Sequence, residues 1–150
     1  MRVLDQKKIK YESYDYSKTG AINGEEVARA LGQNPDRVFK TLVTVGKSKK
    51  NYVFMVPVEE ELDLKKAAKT VGEKSIEMIK SKELLPLTGY ILGGCSPIGM
   101  KKFYVTTVHK SALEFETIFF SAGKIGYQVE VSPSDLEKVI KISYEDIIVN

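Results

Sequence analysis

Residues 38–58 read VFKTLVTVGKSKKNYVFMVPV, and this stretch decides the fold prediction. The β-branched residues of segment 38–45 predict a strand, and segment 52–58 predicts a second strand of the same kind. The connection between them, GKSKKN, is polar and begins with a glycine, which is typical of a turn. Two neighbouring strands joined in this way predict an antiparallel hairpin.

Three helices are predicted around this hairpin, with the bounds 24–31, 62–71 and 133–141. Asn23 is a favourable N-cap for the first helix, and Gly32 is a favourable residue to end it. Ser132 caps the third helix, and Pro133 occupies its first position, where a proline is tolerated. Two short helical turns are also predicted, over 75–80 and 81–85.

Further strands are predicted over 90–92, 103–109, 117–121, 127–131 and 147–149. Helices and strands alternate along the chain, but the strands occur as hairpin-like neighbours. This order is typical of an α/β (α+β) protein with a mixed, mainly antiparallel sheet and packed helices, and not of a doubly wound parallel fold. A chain of 150 residues favours one domain, which we place over residues 1–150.

Composition narrows the class of protein. Hydrophobic residues make up 43% and charged residues 29%, which is ordinary for a globular protein. No run of about 18 apolar residues is present, and the N-terminus lacks the apolar core of a secretory signal. We therefore expect a cytoplasmic protein with no membrane partner. The formal net charge of +3 permits a polyanionic partner without requiring one.

The cysteine and histidine content bears on cofactors. Cys95 is the single cysteine, so no disulfide can form within the chain, and a reducing compartment is the natural expectation. His109 is the single histidine, and one residue of each kind cannot build a multi-cysteine or multi-histidine metal cage. We expect no metal and no cofactor.

A segment rich in glycine and proline, GGCSPIGMKK, occupies residues 93–102. Glycine is used where the backbone turns tightly or approaches another molecule, and proline stiffens the bend. We expect a shaped loop whose amides point together at an anionic or carbonyl oxygen, with Lys101 and Lys102 adding positive charge. A simple turn is the alternative. The glycine spacing matches neither a dinucleotide-binding fingerprint nor a P-loop.

Lys40 is unusual because it lies in the middle of the first predicted strand. Strand alternation places it on one face with Val38 and Leu42. Such a lysine either extends from an edge strand into water or lies at the mouth of a pocket. In a pocket its ammonium can bind a phosphate or polarise a carbonyl group. The segment SAGKIG, residues 121–126, is either a β-turn or a second wall of that pocket, with Lys124 near a phosphate.

Cys95 and Ser96 are the candidate nucleophiles of the chain. A nucleophile needs a nearby base, and His109 is the only histidine that could serve. No third group that would orient the histidine is evident from the sequence. Cys95 also fits the simpler role of a small residue in a tight loop.

Four segments occur in a distinctive order: VFKTLV (38–43), GGCSPIGMKK (93–102), EFETI (114–118) and SAGK (121–124). Together with GEEVARALG (24–32) they make the chain resemble the YbaK/EbsC family of aminoacyl-tRNA deacylases, most closely its bacterial Cys-tRNA(Pro) deacylase branch. The resemblance covers almost the whole chain. It implies a barrel-like mixed sheet related to the editing insertion of bacterial prolyl-tRNA synthetases. Ile125 departs from the pattern, since the family commonly has a basic residue there.

The resemblance also implies an activity: hydrolysis of the ester that joins cysteine to the 3′ end of tRNA(Pro), alongside prolyl-tRNA synthetase. Cysteine and proline are similar in size, so the amino-acid pocket of prolyl-tRNA synthetase rejects cysteine poorly. A separate step that hydrolyses the mischarged tRNA is therefore useful. The attacking group would come from the substrate, as its thiol or a ribose hydroxyl, or from water. Two alternatives remain open: a deacylase for another mischarged tRNA such as Ala-tRNA(Pro), and a non-catalytic module that binds tRNA or the synthetase.

The site residues follow from the resemblance by position. The essential lysine corresponds to Lys40. The residues that hold the ester and act in catalysis with Lys40 are expected to be Gly94, Ser96, Pro97 and Gly99. The remaining substrate-binding residues are expected to be Gly93, Cys95, Ile98, Lys101, Gly123 and Lys124.

Overall fold

The computed structural model describes residues 2–21, 23–92 and 94–150, without the side chain of Arg2. Within these residues the helices are α1 (Arg2–Gln6), α2 (Gly24–Leu31), α3 (Leu64–Val71), α4 (Ser81–Thr88) and α5 (Pro133–Val139). The strands are β1 (Glu12–Asp15), β2 (Phe39–Gly46), β3 (Asn51–Pro57), β4 (Ile76–Met78), β5 (Val105–His109), β6 (Ile118–Ser121), β7 (Tyr127–Val131) and β8 (Ile142–Glu145). Short 3₁₀ segments cover Pro35–Arg37 and Lys110–Glu114.

The strands form two sheets. One is antiparallel with the order β1-β7-β6, and the other is mixed with the order β4-β2-β3-β5-β8. In the mixed sheet β2 and β3 form the predicted antiparallel hairpin, with Lys40 opposite Val56. The pairs β3/β5 and β5/β8 are parallel. A parallel bridge between Val38 and Phe119 joins the two sheets, and the predicted mixed, mainly antiparallel fold is confirmed.

The main core packs the two sheets against each other. Phe39, Met55 and Val108 from the mixed sheet meet Phe120 and other residues of β6 and β7. A second cluster lies on the opposite face of β3, where Phe54 and Val56 pack against α3. Because alternate residues of β3 enter different clusters, this strand is buried on both faces, as its nearly continuous apolar sequence requires.

The predicted helix over 24–31 is confirmed with the same bounds, because its end signals are local. Asn23 Oδ1 accepts a hydrogen bond from Glu26 N at 2.9 Å, and Glu26 Oε1 accepts one from Asn23 N at 3.4 Å. Gly32 ends the helix in the left-handed conformation, with φ of 66°. The capping residue Asn23 and the first turn of α2, through Gly24 and Val27, line the cavity described below.

Several secondary-structure predictions are wrong. The segment 75–80 holds β4, which pairs with the end of β2, and not a helical turn. Residues 90–92 form no strand. The last strand is β8, and in the predicted terminal strand Ile148 makes only an isolated bridge to Leu62. Whether each of these three segments forms a strand depends on partners distant in sequence. The predicted helical turn over 81–85 is part of a longer helix, α4, which continues through Pro86 to Thr88. The short elements α1 and β1 have no counterpart in the prediction.

A candidate substrate cavity beside Lys40

A cavity of about 470 Å³ lies along the open edge of β2. β2 pairs with β3 over its whole length, but with β4 only from Thr44 to Gly46. The remaining edge faces α2, α4 and the ends of β6 and β7, and residues 38–43 all line the cavity. Because the cavity follows an edge, side chains from both faces of β2 reach it. The polar side chains at the cavity are Tyr16, Asn23, Lys40, Thr41, Ser81, Cys95, Ser121 and Gln128.

Lys40 lies in this cavity and is half-buried. Among the residues that the structure describes, its ammonium has neither a carboxylate nor a hydrogen-bond partner. The rest of the lining is mostly apolar, with Val27, Leu42 and Leu84 contributing. A cation in such surroundings interacts with an anionic ligand more strongly than it would in water. The sequence-based placement of Lys40 at a pocket therefore agrees with its position in the fold.

Thr41 is a polar group at the cavity that the sequence analysis did not single out. Its Oγ1 is buried and has no hydrogen-bond partner within the described part of the chain. Buried hydroxyls are normally hydrogen-bonded, so an unpartnered one in the wall of a cavity is unusual and makes Thr41 a candidate for a ligand contact. A threonine in a β-strand is ordinary, and no sequence signal distinguishes this one.

The glycine-rich segment forms one wall of the cavity through Cys95. Gly94 packs against the 121–126 loop, since a Cβ at Gly94 would lie 3.2 Å from Ile125 N. Ser96 is fully buried, and its Oγ accepts a hydrogen bond from Ile98 N at 3.4 Å. The Ile98 side chain belongs to the main core. Gly93 lies outside the described residues.

The other predicted residues face a second depression or the protein surface. Pro97, Gly99 and Lys101 line a depression of about 270 Å³ on the other side of the segment. Gly123 contacts the ring of Tyr90. Lys124 is exposed, and its ammonium lies 5.3 Å from the centre of the Tyr127 ring. Lys40 and Cys95 thus share the larger cavity. The 121–126 segment, predicted as a possible second wall, lines it through Ser121, which was not among the predicted site residues.

The structure does not pair Cys95 with His109. Burial raises the pKa of the Cys95 thiol to about 12, so the thiol stays protonated near neutral pH. His109 lines neither cavity, and its Nδ1 accepts a hydrogen bond from Ile147 N at 3.3 Å. Burial lowers the pKa of His109 and keeps the ring neutral. The alternative of a cysteine activated by histidine is therefore wrong.

A hydrogen-bonded network holds the start of β2 against the antiparallel sheet. Arg37 Nη2 lies 3.1 Å from Glu130 Oε2, and Arg37 Nε donates to the Thr117 carbonyl at 3.1 Å. Tyr14 Oη donates to Glu130 Oε1 at 2.6 Å, and Thr117 Oγ1 donates to the same carboxylate. The Arg37 guanidinium also lies over the Phe119 ring. This network is three residues from Lys40 and fixes the entry of β2 into the cavity.

A second polar contact lies in the cavity wall itself. Gln33, just after α2, and Gln128 in β7 exchange two hydrogen bonds through their amide groups, at 2.7 and 3.0 Å. Gln128 is buried and lines the cavity. The reciprocal pair holds α2 against β7 and keeps the opening between them in shape.

Two features are absent from the described residues. No group of three or more His, Cys, Asp or Glu side chains there could hold a metal ion. No helix in that part of the chain is both long enough and apolar enough to cross a bilayer.

Comparison with known proteins identifies the family. Residues 20–139 match the family model of the aminoacyl-tRNA editing domain. The chain belongs to the aminoacyl-tRNA editing domain family. It is 42% identical, over 98% of its length and 90% of the relative's, to EbsC of Enterococcus faecalis, a proposed Cys-tRNA(Pro)/Cys-tRNA(Cys) deacylase. The resemblance predicted from its five sequence segments is therefore confirmed.

Two further proteins extend the comparison. The editing domain is 30% identical to part of a proline–tRNA ligase of Shouchella clausii, over 73% of this chain and 19% of the ligase. It is 23% identical to the solved structure of a proposed trans-editing enzyme for prolyl-tRNA synthetase, with a TM-score of 0.85. That likeness covers 99% of this chain and 94% of the other, and it shows that the fold is shared.

Proposed function

We propose that this editing domain hydrolyses the ester between cysteine and tRNA(Pro), as a separate enzyme acting on the mischarged product of prolyl-tRNA synthetase. The observation that carries the proposal is Lys40, a cation without a carboxylate partner among the described residues, in a mostly apolar cavity. Family membership and the 42% identity to EbsC support the reaction class.

Lys40 acts on the substrate through its charge. Its ammonium either binds a phosphate or ribose oxygen of the terminal adenosine or stabilises the oxyanion that develops as the ester is attacked. Because the cavity lining is largely apolar, this interaction is stronger than it would be at a fully exposed position. The absence of an internal carboxylate partner in the described part of the chain leaves the charge available to the ligand.

The glycine-rich segment supplies the second set of contacts. The segment of Gly93, Gly94, Ser96 and Gly99 holds the ester through backbone amides, and one such donor contributes about 3 kcal/mol to transition-state stabilisation. The Gly94 and Ile98 amides already donate to the Ile91 carbonyl and to Ser96 Oγ, so the donors come from the other amides of the segment, beginning with Cys95 at the cavity wall. Pro97 has no amide hydrogen and shapes the turn. Lys101, Gly123 and Lys124 contact the nucleic acid nearby. Since the Cys95 thiol is protonated, the attacking group is water or a group of the substrate.

The proposal is tested by deacylation of a panel: Cys-tRNA(Pro), Ala-tRNA(Pro), Pro-tRNA(Pro) and Cys-tRNA(Cys). We expect Cys-tRNA(Pro) to be cleaved fastest and Lys40→Ala to lose about 100-fold or more in kcat/KM, since the lost contact is a charged one to the reacting region. Lys47→Ala is the control, because Lys47 is an exposed cation in the β2–β3 turn. Its rate should match the wild type.

Other outcomes select the alternatives. Equal rates for Lys40→Ala and wild type would remove Lys40 from the mechanism. A preference for Ala-tRNA(Pro) would reject cysteine as the substrate. Binding of tRNA(Pro) without cleavage of any ester, with or without the synthetase, would favour the non-catalytic module.

Prolyl-tRNA synthetase is the proposed partner, and the cytoplasm, where tRNA is charged, is the proposed site of action. The likeness to part of a proline–tRNA ligase supports this link. A modest net charge of +3 makes delivery of the substrate by a partner reasonable. Analytical sedimentation of a mixture of the editing domain, prolyl-tRNA synthetase and tRNA(Pro) tests this partnership. If the three components sediment independently at micromolar concentrations, the partnership is contradicted.

A further inference from the structure

Two loops of the editing domain meet on one side chain, that of Tyr90. Its Oη donates a hydrogen bond to the Ile98 carbonyl at 2.5 Å. Gly99 has a φ of 76°, and a Cβ there would lie 2.6 Å from Tyr90 Oη. Gly123, in the 121–126 loop, has a φ of 100°, and a Cβ there would lie 2.8 Å from Tyr90 Cε1. Each glycine is required both for its left-handed backbone and for the space that the phenol occupies.

Tyr90 is itself anchored to α4. Its backbone N donates to Thr88 Oγ1 at 3.0 Å, and that buried hydroxyl donates to the Leu84 carbonyl at 2.7 Å. The ring packs against the cluster that contains Leu84 and Cys95, both of which line the cavity. The phenol therefore connects a helix of the cavity wall to both loops.

The hydrogen bond to Ile98 also sets the direction of an amide. In a trans peptide the carbonyl and the following N–H point in opposite directions from one plane. Holding the Ile98 carbonyl toward Tyr90 therefore turns the Gly99 N–H away from the ring. Tyr90 lies outside the set of residues that line the cavity, so it acts on this wall from behind.

We propose that Tyr90 is a positioning residue for the deacylation reaction: it holds the 94–99 and 121–126 loops together so that Cys95 and Ser121 form one cavity wall. The expected effect of Tyr90 on the deacylation rate rests on the proposed function. Its effect on the two loops is a property of the fold and can be measured without substrate.

Tyr90→Phe tests the role, because it keeps the ring and removes only the hydroxyl. Tyr104→Phe is the matched control: Tyr104 packs on the same cluster, but its Oη donates to the Leu87 carbonyl of α4, at 2.8 Å, and not to a carbonyl of either loop. Both variants lose one hydrogen bond from a tyrosine to a backbone carbonyl, so their melting temperatures should fall by similar amounts.

The kinetic readout is the separation of kcat from KM on Cys-tRNA(Pro), below both melting temperatures. We expect Tyr90→Phe to lower kcat by about tenfold or more and to leave KM within about twofold. The reason is that a small displacement of the residues that position the ester slows the chemical step. Tyr104→Phe should keep both constants. Equal kcat values for the two variants would overturn the proposal.

Amide hydrogen exchange gives a second readout that needs no substrate. We expect faster exchange in segment 94–100 of Tyr90→Phe, where the hydrogen bond to the Ile98 carbonyl is lost, and unchanged exchange there in Tyr104→Phe. Unchanged exchange in Tyr90→Phe overturns the positioning role, whatever the activity. If the wild type cleaves no aminoacyl-tRNA, the proposed function fails, and exchange alone still decides whether Tyr90 orders the loops.

Discussion

At the scale of single residues, β2 places two adjacent polar groups at the cavity that have no hydrogen-bond partner within the described part of the chain. They are the Lys40 ammonium and the Thr41 hydroxyl. The Thr41 hydroxyl is buried, and a buried hydroxyl without a partner is unfavourable for folding, which indicates a role toward a ligand. The Lys40 ammonium is only half-buried, and its charge is not neutralised by a carboxylate among the described residues. The two adjacent residues of β2 therefore form the core of the candidate site.

Thr41→Val should separate stability from function. Removing an unpartnered buried hydroxyl should leave the free energy of unfolding unchanged or slightly higher, while kcat/KM for Cys-tRNA(Pro) falls about fivefold through loss of one hydrogen bond to the substrate. Urea unfolding and steady-state kinetics measure the two effects. Thr44→Val is the control, since Thr44 Oγ1 donates to the Tyr52 carbonyl at 2.9 Å in the same strand.

The control should show the opposite result. Thr44→Val should lose about 1 kcal/mol of unfolding free energy and keep kcat/KM. Thr41→Val with a normal kcat/KM would mean that its hydroxyl does not contact the substrate.

Cys95→Ser should retain deacylation within about threefold of the wild type, because a thiol held protonated by burial is not the nucleophile. For the same reason, iodoacetamide should modify folded Cys95 at pH 8 at least about 100-fold more slowly than the unfolded chain. Mass spectrometry of timed samples measures the reaction. Rapid alkylation, or loss of activity in Cys95→Ser, would restore Cys95 as a reacting group.

At the scale of elements, the Glu130 carboxylate ties β7 to β1, to β6 and to the turn before β2. Burial disfavours the charged carboxylate and raises the pKa of Glu130. Hydrogen bonds from Thr117 and Tyr14 and the positive charge of Arg37 lower it by more, so the pKa of Glu130 lies below its ordinary value. The same contact raises the pKa of Tyr14 to about 12. A carboxylate with a lowered pKa stabilises the folded state above its unfolded pKa, and this stabilisation is lost as the pH falls through the folded pKa.

Glu130→Gln should therefore destabilise the protein by about 2 kcal/mol at pH 7, since it removes charged hydrogen bonds and leaves Arg37 without its counter-charge. The difference from the wild type should shrink below about pH 4, as the wild-type carboxylate becomes protonated. Urea unfolding of both proteins at pH 7 and pH 3 measures this difference in the free energy of unfolding. Glu59→Gln, at an exposed position, is the control. A difference that stays constant with pH would contradict the role of the charge.

At the scale of the whole molecule, the cavity exists because two sheets share one core but do not pair along all their edges. β2 has a full partner in β3 and only a short one in β4, and among the described residues one bridge, from Val38 to Phe119, joins it to the other sheet. The helices α2 and α4 close the remaining gap without filling it. The site is thus a feature of how the layers meet, and not of any one loop.

Local chemistry explains which features could be predicted. The bounds of α2 follow from Asn23 and Gly32, whose capping interactions involve neighbours in sequence. The β2–β3 hairpin follows from two apolar strands and a short polar turn. By contrast, β4 and β8 exist because an edge of the mixed sheet is available to them, and their short sequences carry no such information.

From its residues alone, this chain determined the hairpin, the capped helices, the unusual lysine in β2 and the family to which it belongs. Only the tertiary structure decided that Lys40 and Cys95 share a cavity, that Thr41 lacks an internal partner among the described residues, and that Tyr90 connects the two loops. The physical reason is the distance along the sequence over which each interaction acts. Capping, turns and strand alternation act between neighbours in sequence, whereas cavities, unpaired edges and contacts between loops arise only when distant segments pack together.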